Sequence, residues 1–213
     1  MNNELLFFFF FFFQAEDGIR EVERSRGLDD VFKGRVLAGW RAAWAPVVER
    51  GAAGATVMAH RDYHAENLIW LPDRDGAARV GMIDFQDAVK AHPSWDLHSL
   101  LQDARLDVSP VLEAKALDHY FTLRRQVDRG EFLRDYAVLA ALNEARTLGI
   151  FAGLIVRGGK PRYRAFMPRM WRNLNANLDQ PGLEPVRDAV AQVATKLGRP
   201  LRLLLGKPGL DGH

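Results

Sequence analysis

Two short segments, in a fixed order, restrict this chain more than anything else in it. The first is His60-Arg61-Asp62-Tyr63-His64-Ala65-Glu66-Asn67. The second, Ile83-Asp84-Phe85-Gln86, places Asp84 seventeen positions after Asn67. Between them, Asn67 to Leu71 and Arg79 to Phe85 read as two strands flanking the turn-rich Pro72-Asp73-Arg74-Asp75-Gly76. A hairpin of that kind returns Asp84 to the neighbourhood of Asn67. Taken singly, an Asp or Asn in a loop is usually a turn or cap residue. Taken together, the spacing H-R-D-x-x-x-x-N arises by chance in roughly one chain in a thousand of this length, and an ordered Asp-Phe pair follows it. Coincidence is therefore a poor account of the arrangement.

The residue types suit phosphoryl transfer. That reaction needs a carboxylate beside the attacking hydroxyl, to orient it and to accept its proton. Asp62 has that role by position. Mg²⁺ takes oxygen ligands, commonly one or two from the protein, with phosphate and water completing its shell. Asn67 and Asp84 supply such oxygens. His64 and Glu66 are loop candidates facing the substrate. His92, His98 and His119 lack ligand spacing and read as surface or packing residues. Gly159-Lys160 and Gly206-Lys207 do not make a phosphate-binding loop, because Pro161 and Pro208 stand where Ser or Thr is required.

Outside this pair the pattern is mostly helical. Val36, Leu37, Trp40, Trp44, Val47 and Val48 recur at helical spacing, with Pro46 expected to break or kink the helix. Gly51 to Gly54 reads as a loop, and Thr56 to Ala59 as a short strand leading into His60. Ser109-Pro110 is an N-cap and first-turn pair for a helix reaching about Asp128. Gly130 is expected to separate it from a helix carrying Phe132, Tyr136, Leu139 and Leu142. Gly158-Gly159 ends that region. A further helix presents Tyr163, Phe166, Met167, Met170, Trp171, Leu174 and Leu178 as an apolar stripe, which reads as core.

Both ends differ from the middle. Phe7 to Phe13 is an unbroken Phe run. Glu4 precedes it without Lys or Arg, and no small-x-small cleavage site follows, which argues against a signal peptide. The nine apolar residues from Leu5 to Phe13 are too few to span a bilayer as a helix. Gln14-Ala15-Glu16-Asp17-Gly18-Ile19-Arg20 resembles the translation of a sequencing-library adapter, and Ser25 to Lys33 resembles that of a second. Residues 1–34 are therefore read as a non-native leader. At the other end, Val186, Val190, Val193 and Leu197 form an amphipathic pattern, and Leu201 to Leu205 reads as a buried strand. Gly206 to His213 resembles the opening of cobalamin-binding domains of the methylmalonyl-CoA mutase type, with Asp211 and His213 beginning their D-x-H-x-x-G motif. Residues 186–213 are read as a helix-strand tail ending in a foreign fragment; an ordinary frayed terminus is the alternative.

The middle of the chain resembles the aminoglycoside phosphotransferase family, which has a protein-kinase-like fold. Within that family it is most similar to the anomeric N-acetylmuramate/N-acetylglucosamine kinases. The likeness is carried by Asp62 to Pro72, Asp84-Phe85-Gln86-Asp87-Ala88, His92-Pro93, Asp96-Leu97, Ser99 to Arg105, Leu148 to Ala152 and Gly159 to Tyr163. The resemblance implies a mainly α (α+β) fold over residues 35–185: a helical C-terminal lobe with a small catalytic hairpin. It implies that His60, Arg61 and Asp96 support the catalytic loop, Asp96 accepting hydrogen bonds from the loop's backbone. It places Gln86 and Asp87, with His64 and Glu66, on the substrate side. It implies ATP and Mg²⁺ as cofactors and an amino sugar as acceptor, in cell-wall recycling. No G-x-G-x-x-G and no V-A-I-K-like strand precedes His60, so the phosphate-covering N-terminal lobe is expected to be missing and the chain to be a fragment with little activity.

Composition sets the remaining bounds. Cys is absent, which removes disulfides and thiolate chemistry and fits a cytoplasmic location. A net charge of +2 gives no footprint for nucleic acid, and no membrane partner is expected. Oligomeric state is left open. An aminoglycoside or choline-type kinase, a non-catalytic pseudokinase-like remnant, and a cobalamin-dependent protein are the competing readings.

Overall fold

A computed structural model describes residues 30–196. The leader up to residue 29 and the expected strand Leu201 to Leu205 lie outside the described residues. Two compact units are present: Val48–Ala140, and the described parts of Met1–Val47 with Ala141–His213. In chain order the elements are α1 (Asp30–Ala53), β1 (Val57–Ala59), β2 (Leu68–Trp70), β3 (Val80–Met82), β4 (Val89–Ala91), α2 (Trp95–Leu101), α3 (Pro110–Leu123), α4 (Arg129–Val156), α5 (Met167–Leu178) and α6 (Glu184–Lys196). Short 3₁₀ turns occupy Ala65–Asn67, Gly76–Arg79 and Pro161–Ala165.

The unit Val48–Ala140 holds the strands. β2 and β3 form the expected antiparallel hairpin, with Leu68 opposite Met82 and Trp70 opposite Val80. The second strand ends at Met82, so Asp84 and Phe85 lie on the loop beyond it rather than within it. β1 pairs antiparallel with β4, Val57 opposite Ala91. Neither β4 nor α2 is visible in the hydrophobic pattern, because each is too short to display a period.

The core of this unit is a cluster of Leu101, Leu117, Phe132 and Tyr136, flanked by Leu97, Val108, Tyr120 and Phe121. Tyr120 stacks on Phe132 at 4.8 Å between centroids, and Phe121 meets Phe132 edge-on at 5.4 Å. A shared carboxylate adds a polar tie. Glu113 on α3 accepts from the Tyr136 hydroxyl at 2.6 Å and from Gln102 Nε2 at 2.9 Å.

Several sequence expectations about punctuation are corrected. Pro46 lies inside α1 and does not end it, and the helix continues through the Gly51–Ala53 stretch expected to be a loop. Pro removes one N–H and crowds one carbonyl, which a long helix with buried Trp40, Trp44 and Val47 tolerates. Val48, grouped with that apolar face, is instead exposed. α3 stops at Leu123 rather than near Asp128. Gly130 is the second residue of α4, not a separator. The boundary is made by Asp128, whose Oδ1 accepts the Glu131 N–H at 2.7 Å in the manner of an N-cap.

In the other unit Met167, Met170, Trp171, Leu174 and Leu178 of the α5 stripe are buried as expected, whereas Tyr163 and Phe166, expected on the same helix, precede it and are half-buried. Phe151, Tyr163 and Phe166 form a ring cluster with centroids 5.0 to 6.0 Å apart. Asn177 Nδ2 donates to the buried Glu144 carboxylate at 3.1 Å. Gly159 takes the left-handed conformation at φ +59° just after α4, where glycine carries no Cβ penalty. The stretch Arg129–Ile155 is long and apolar enough to cross a membrane, but 67% of its apolar window is buried within the protein, as in a core helix.

Candidate active site

Every residue singled out around the two motifs falls in the unit Val48–Ala140. The loop leaves β1 at Ala59, and its first turn is held by a carboxylate. Asp96, in the first turn of α2, accepts the His60 N–H at 2.7 Å through Oδ2 and the Arg61 N–H at 3.1 Å through Oδ1. Arg61 has φ +77°, a conformation uncommon for a residue with a Cβ. The paired hydrogen bonds that the His60 and Arg61 N–H groups donate to Asp96 supply the constraint that holds it there. Trp95 Nε1 adds a 3.4 Å contact to the Arg61 carbonyl.

His60 ties this loop to the second motif. Its ring is buried, and Nε2 lies 2.8 Å from the Ile83 carbonyl. A carbonyl only accepts, so Nε2 carries the proton. Nδ1 is buried with no hydrogen-bond partner among the described residues. The Ile83 N–H in turn donates to the Asn67 carbonyl at 3.1 Å. Ile83 is thus bonded to both ends of the His60–Asn67 segment, and its neighbour in sequence is Asp84.

Asn67 closes the constellation. It is buried, and its Nδ2 donates to the Asp62 carbonyl at 2.9 Å. Asp62 and Asn67 are therefore brought together across the loop, with Asp62 half-buried. Asp84 is exposed at φ +63°, and its Oδ1 accepts from Gln86 Nε2 at 2.6 Å. Gln86 is thereby engaged with Asp84. Phe85 and Asp87 are exposed.

The downstream half of the loop has a second anchor. Asp103 is buried, and its Oδ2 accepts the Ala65 N–H at 3.1 Å. Arg105 Nε reaches Glu66 Oε2 at 2.8 Å. Glu66 is therefore held by a cation within its own unit. Sequence reasoning placed Asp103 within a family-like stretch but gave it no role, since nothing in its spacing marks which backbone N–H it would meet.

Electrostatics follow from these neighbours. Burial lowers the His64 pKa below its ordinary value, and the Arg105 guanidinium adds to that. His64 is thus biased toward the neutral ring. Burial also raises the Tyr63 hydroxyl, with Asp96 contributing, so it remains a neutral hydrogen-bonding group.

The donor set can hold a hard divalent ion. Asn67 spends its amide N–H on the Asp62 carbonyl, which leaves Oδ1 as the atom that could bind an ion. Asp84 keeps Oδ2 after Oδ1 accepts from Gln86. Two oxygens of this kind, with phosphate and water, suit Mg²⁺ rather than a soft metal. Among the described residues no group of three or more His, Cys, Asp or Glu side chains could form an all-protein metal cage.

Comparison with known proteins identifies the family. The chain is 57% identical over 162 residues to the N-acetylmuramate/N-acetylglucosamine kinase of Caulobacter vibrioides, a stretch covering 76% of this chain and 45% of that protein. It is 28% identical over 158 residues to the kinase of the same name from Pseudomonas aeruginosa, covering 70% of this chain and 45% of that protein. The chain thus spans a little under half the length of these curated relatives. A different likeness, 39% identity over 92 residues, is to the ethylmalonyl-CoA mutase of Cereibacter sphaeroides, covering 43% of this chain and 13% of that protein. That match is longer than the 28 residues from 186 to 213 and so takes in more than the tail. The profile of the phosphotransferase enzyme family matches residues 8–142, which include both motifs, both loop anchors and part of the segment read as a leader. By that match, over more than half its length, the chain belongs to the phosphotransferase enzyme family.

Proposed function

We propose that this chain carries the catalytic segment of an ATP-dependent kinase acting on a hydroxyl of N-acetylmuramate or N-acetylglucosamine. The observation that carries the reading is the backbone bonding that joins the two motifs. Asn67 is bonded to the Asp62 backbone, and Ile83 is bonded to Asn67 just before Asp84. The names of the Caulobacter and Pseudomonas relatives support the sugar as acceptor.

Each residue then has a task. The Asp62 carboxylate orients the acceptor hydroxyl and takes its proton as the new O–P bond forms; the bond from the γ-phosphorus to ADP breaks, and ADP leaves with that electron pair. Asn67 Oδ1 and Asp84 Oδ2 would hold Mg²⁺, which when bound neutralises charge on the phosphate oxygens. Asp96 and His60 keep the loop in register. His64 and Asp87 are the side chains proposed to meet the acceptor. Such a reaction runs where ATP is kept, in the cytoplasm, which the lack of Cys suits.

The test is a graft. Residues 38–185 replace the matching segment of the Caulobacter kinase, and ADP release is followed with Mg²⁺ and ATP. N-acetylmuramate, N-acetylglucosamine, an aminoglycoside and choline are offered as acceptors. ADP release dependent on either amino sugar is expected. Turnover only with choline or the aminoglycoside overturns the acceptor assignment, and none with any acceptor overturns the kinase reading.

A further inference from the structure

A carboxylate that phosphate chemistry does not require lies beneath the catalytic loop. Asp103, just past the end of α2, is 3% exposed. Its Oδ2 accepts the Ala65 N–H at 3.1 Å, and its Oδ1 accepts the Arg105 N–H at 2.9 Å, with Arg105 Nη1 at 3.5 Å. A buried carboxylate is costly unless satisfied, so these contacts define one orientation. The arrangement parallels Asp96, which grips the His60 and Arg61 N–H groups. The loop is therefore held at two points, with Asp62 between them.

The two grips bear on different parts of the site. Asp96 acts on the two residues immediately before Asp62. Asp103 acts on the first residue of the 3₁₀ turn Ala65–Asn67, whose last residue is Asn67. All three residues of that turn are tied: Ala65 to Asp103, Glu66 to Arg105, and Asn67 to the Asp62 and Ile83 main chain. The geometry points to Asp103 as a positioning residue for the metal side of the site: it holds the turn that aims the Asn67 amide, so metal affinity depends on it. The inference rests on the reading of Asn67 and Asp84 as the ligand pair. Its physical basis is preorganisation, because a ligand already held in place loses little freedom when the ion arrives.

The experiment measures Mn²⁺ binding, with the metal alone as probe, by electron paramagnetic resonance on the chain as it stands. Asn67→Ala and Asp84→Ala test the ligands. Asp103→Ala and Asp103→Asn test the anchor. Leu117→Ala, in the hydrophobic cluster of the same unit, reports what general loosening does. Asp103→Ala is expected to weaken Mn²⁺ binding about tenfold, the lower end of the range for outer-shell partners. Asp103→Asn should fall between that variant and the parent, since Asn keeps one acceptor oxygen of two. Leu117→Ala should lower the melting temperature and leave Mn²⁺ affinity unchanged. If Asp103→Ala binds like the parent while the two ligand variants do not, the anchor inference is wrong and the site reading stands. If Leu117→Ala weakens binding as much for the same loss of melting temperature, the effect is loosening and the inference also falls. If Asn67→Ala and Asp84→Ala bind like the parent, the site reading fails and takes the inference with it.

Discussion

Asp62 serves structure through its carbonyl, which accepts the Asn67 amide, and its carboxylate is the group proposed for the chemistry. That separation makes the residue testable by a near-isosteric change. In the grafted kinase, Asp62→Asn should lower turnover by about a hundredfold or more, because general-base contributions have that size. The KM for the metal-nucleotide should move less, since Asn67 and Asp84 remain; steady-state kinetics at varied ATP check both. Undiminished turnover would remove Asp62 from its role. A second residue-scale expectation concerns Gly54. A Cβ there would sit 2.3 Å from His92 Cδ2. His92 is held between the Ser94 hydroxyl at 2.8 Å and Asp135 at 3.2 Å and has little room to yield. Gly54→Ala should destabilise the protein by roughly 1–3 kcal/mol, the usual cost of overpacking, as read from urea unfolding. Such effects are invisible in the sequence, because Gly54 and His92 are far apart along the chain.

At the scale of elements, two proline positions give opposite expectations. Pro46 lies exposed within α1, where it removes a helix donor. Pro46→Ala should stabilise the protein by on the order of 1 kcal/mol, less than the full helix-propensity difference because the surrounding packing has adapted to the proline. Pro110 opens α3, where its missing N–H costs nothing. The cap before it does matter: Ser109 Oγ accepts the Leu112 N–H at 3.2 Å. Ser109→Ala should cost about 1 kcal/mol in urea unfolding. Ser109-Pro110 was legible from sequence because a cap and its helix are neighbours. Gly130 was misread as a break, and Pro46 does not end its helix, for the converse reason: whether a helix passes through a poor former is decided by the packing of its apolar side chains, as with Trp44, Val47 and Phe132.

For the molecule as a whole, the clearest expectation is a loss of stability in mild acid. His98 is fully enclosed, with Trp95 at 5.2 Å and Tyr136 at 6.0 Å, and its Nε2 has no hydrogen-bond partner among the described residues. Complete burial, with nearby His92 adding to it, pushes its pKa down to about 3. Burial lowers His92 too, although Asp135 opposes the shift. The native protein keeps the His98 ring neutral, while the unfolded chain protonates it near the ordinary value of about 6.5. Unfolded chains therefore bind more protons below that pH, and stability falls as pH drops from about 6.5 toward 3. The slope is at most about 1.4 kcal/mol per pH unit for each histidine. Melting temperatures between pH 7.5 and 5, above most carboxylate titration, should decline, and His98→Phe should flatten the decline. A flat profile in the unaltered chain would contradict the burial argument.

The sequence alone determined the two motifs, the residues proposed to carry the chemistry and their order. His60, Asp62, Asn67 and Asp84 are recognisable because a loop of set length and a hairpin are local devices whose spacing survives in the chain. It also determined the helical character of the remainder and the apolar face of α5, both of which follow from periodicity. The Asp96 grip on the loop was expected from the family resemblance, but only the tertiary structure decided the second anchor and the tie between the motifs: Asp103 reaches back more than thirty residues to the Ala65 N–H, and His60 meets the Ile83 carbonyl. Backbone N–H and carbonyl groups are the same in every residue, so no side-chain pattern records which of them a distant carboxylate or imidazole will find.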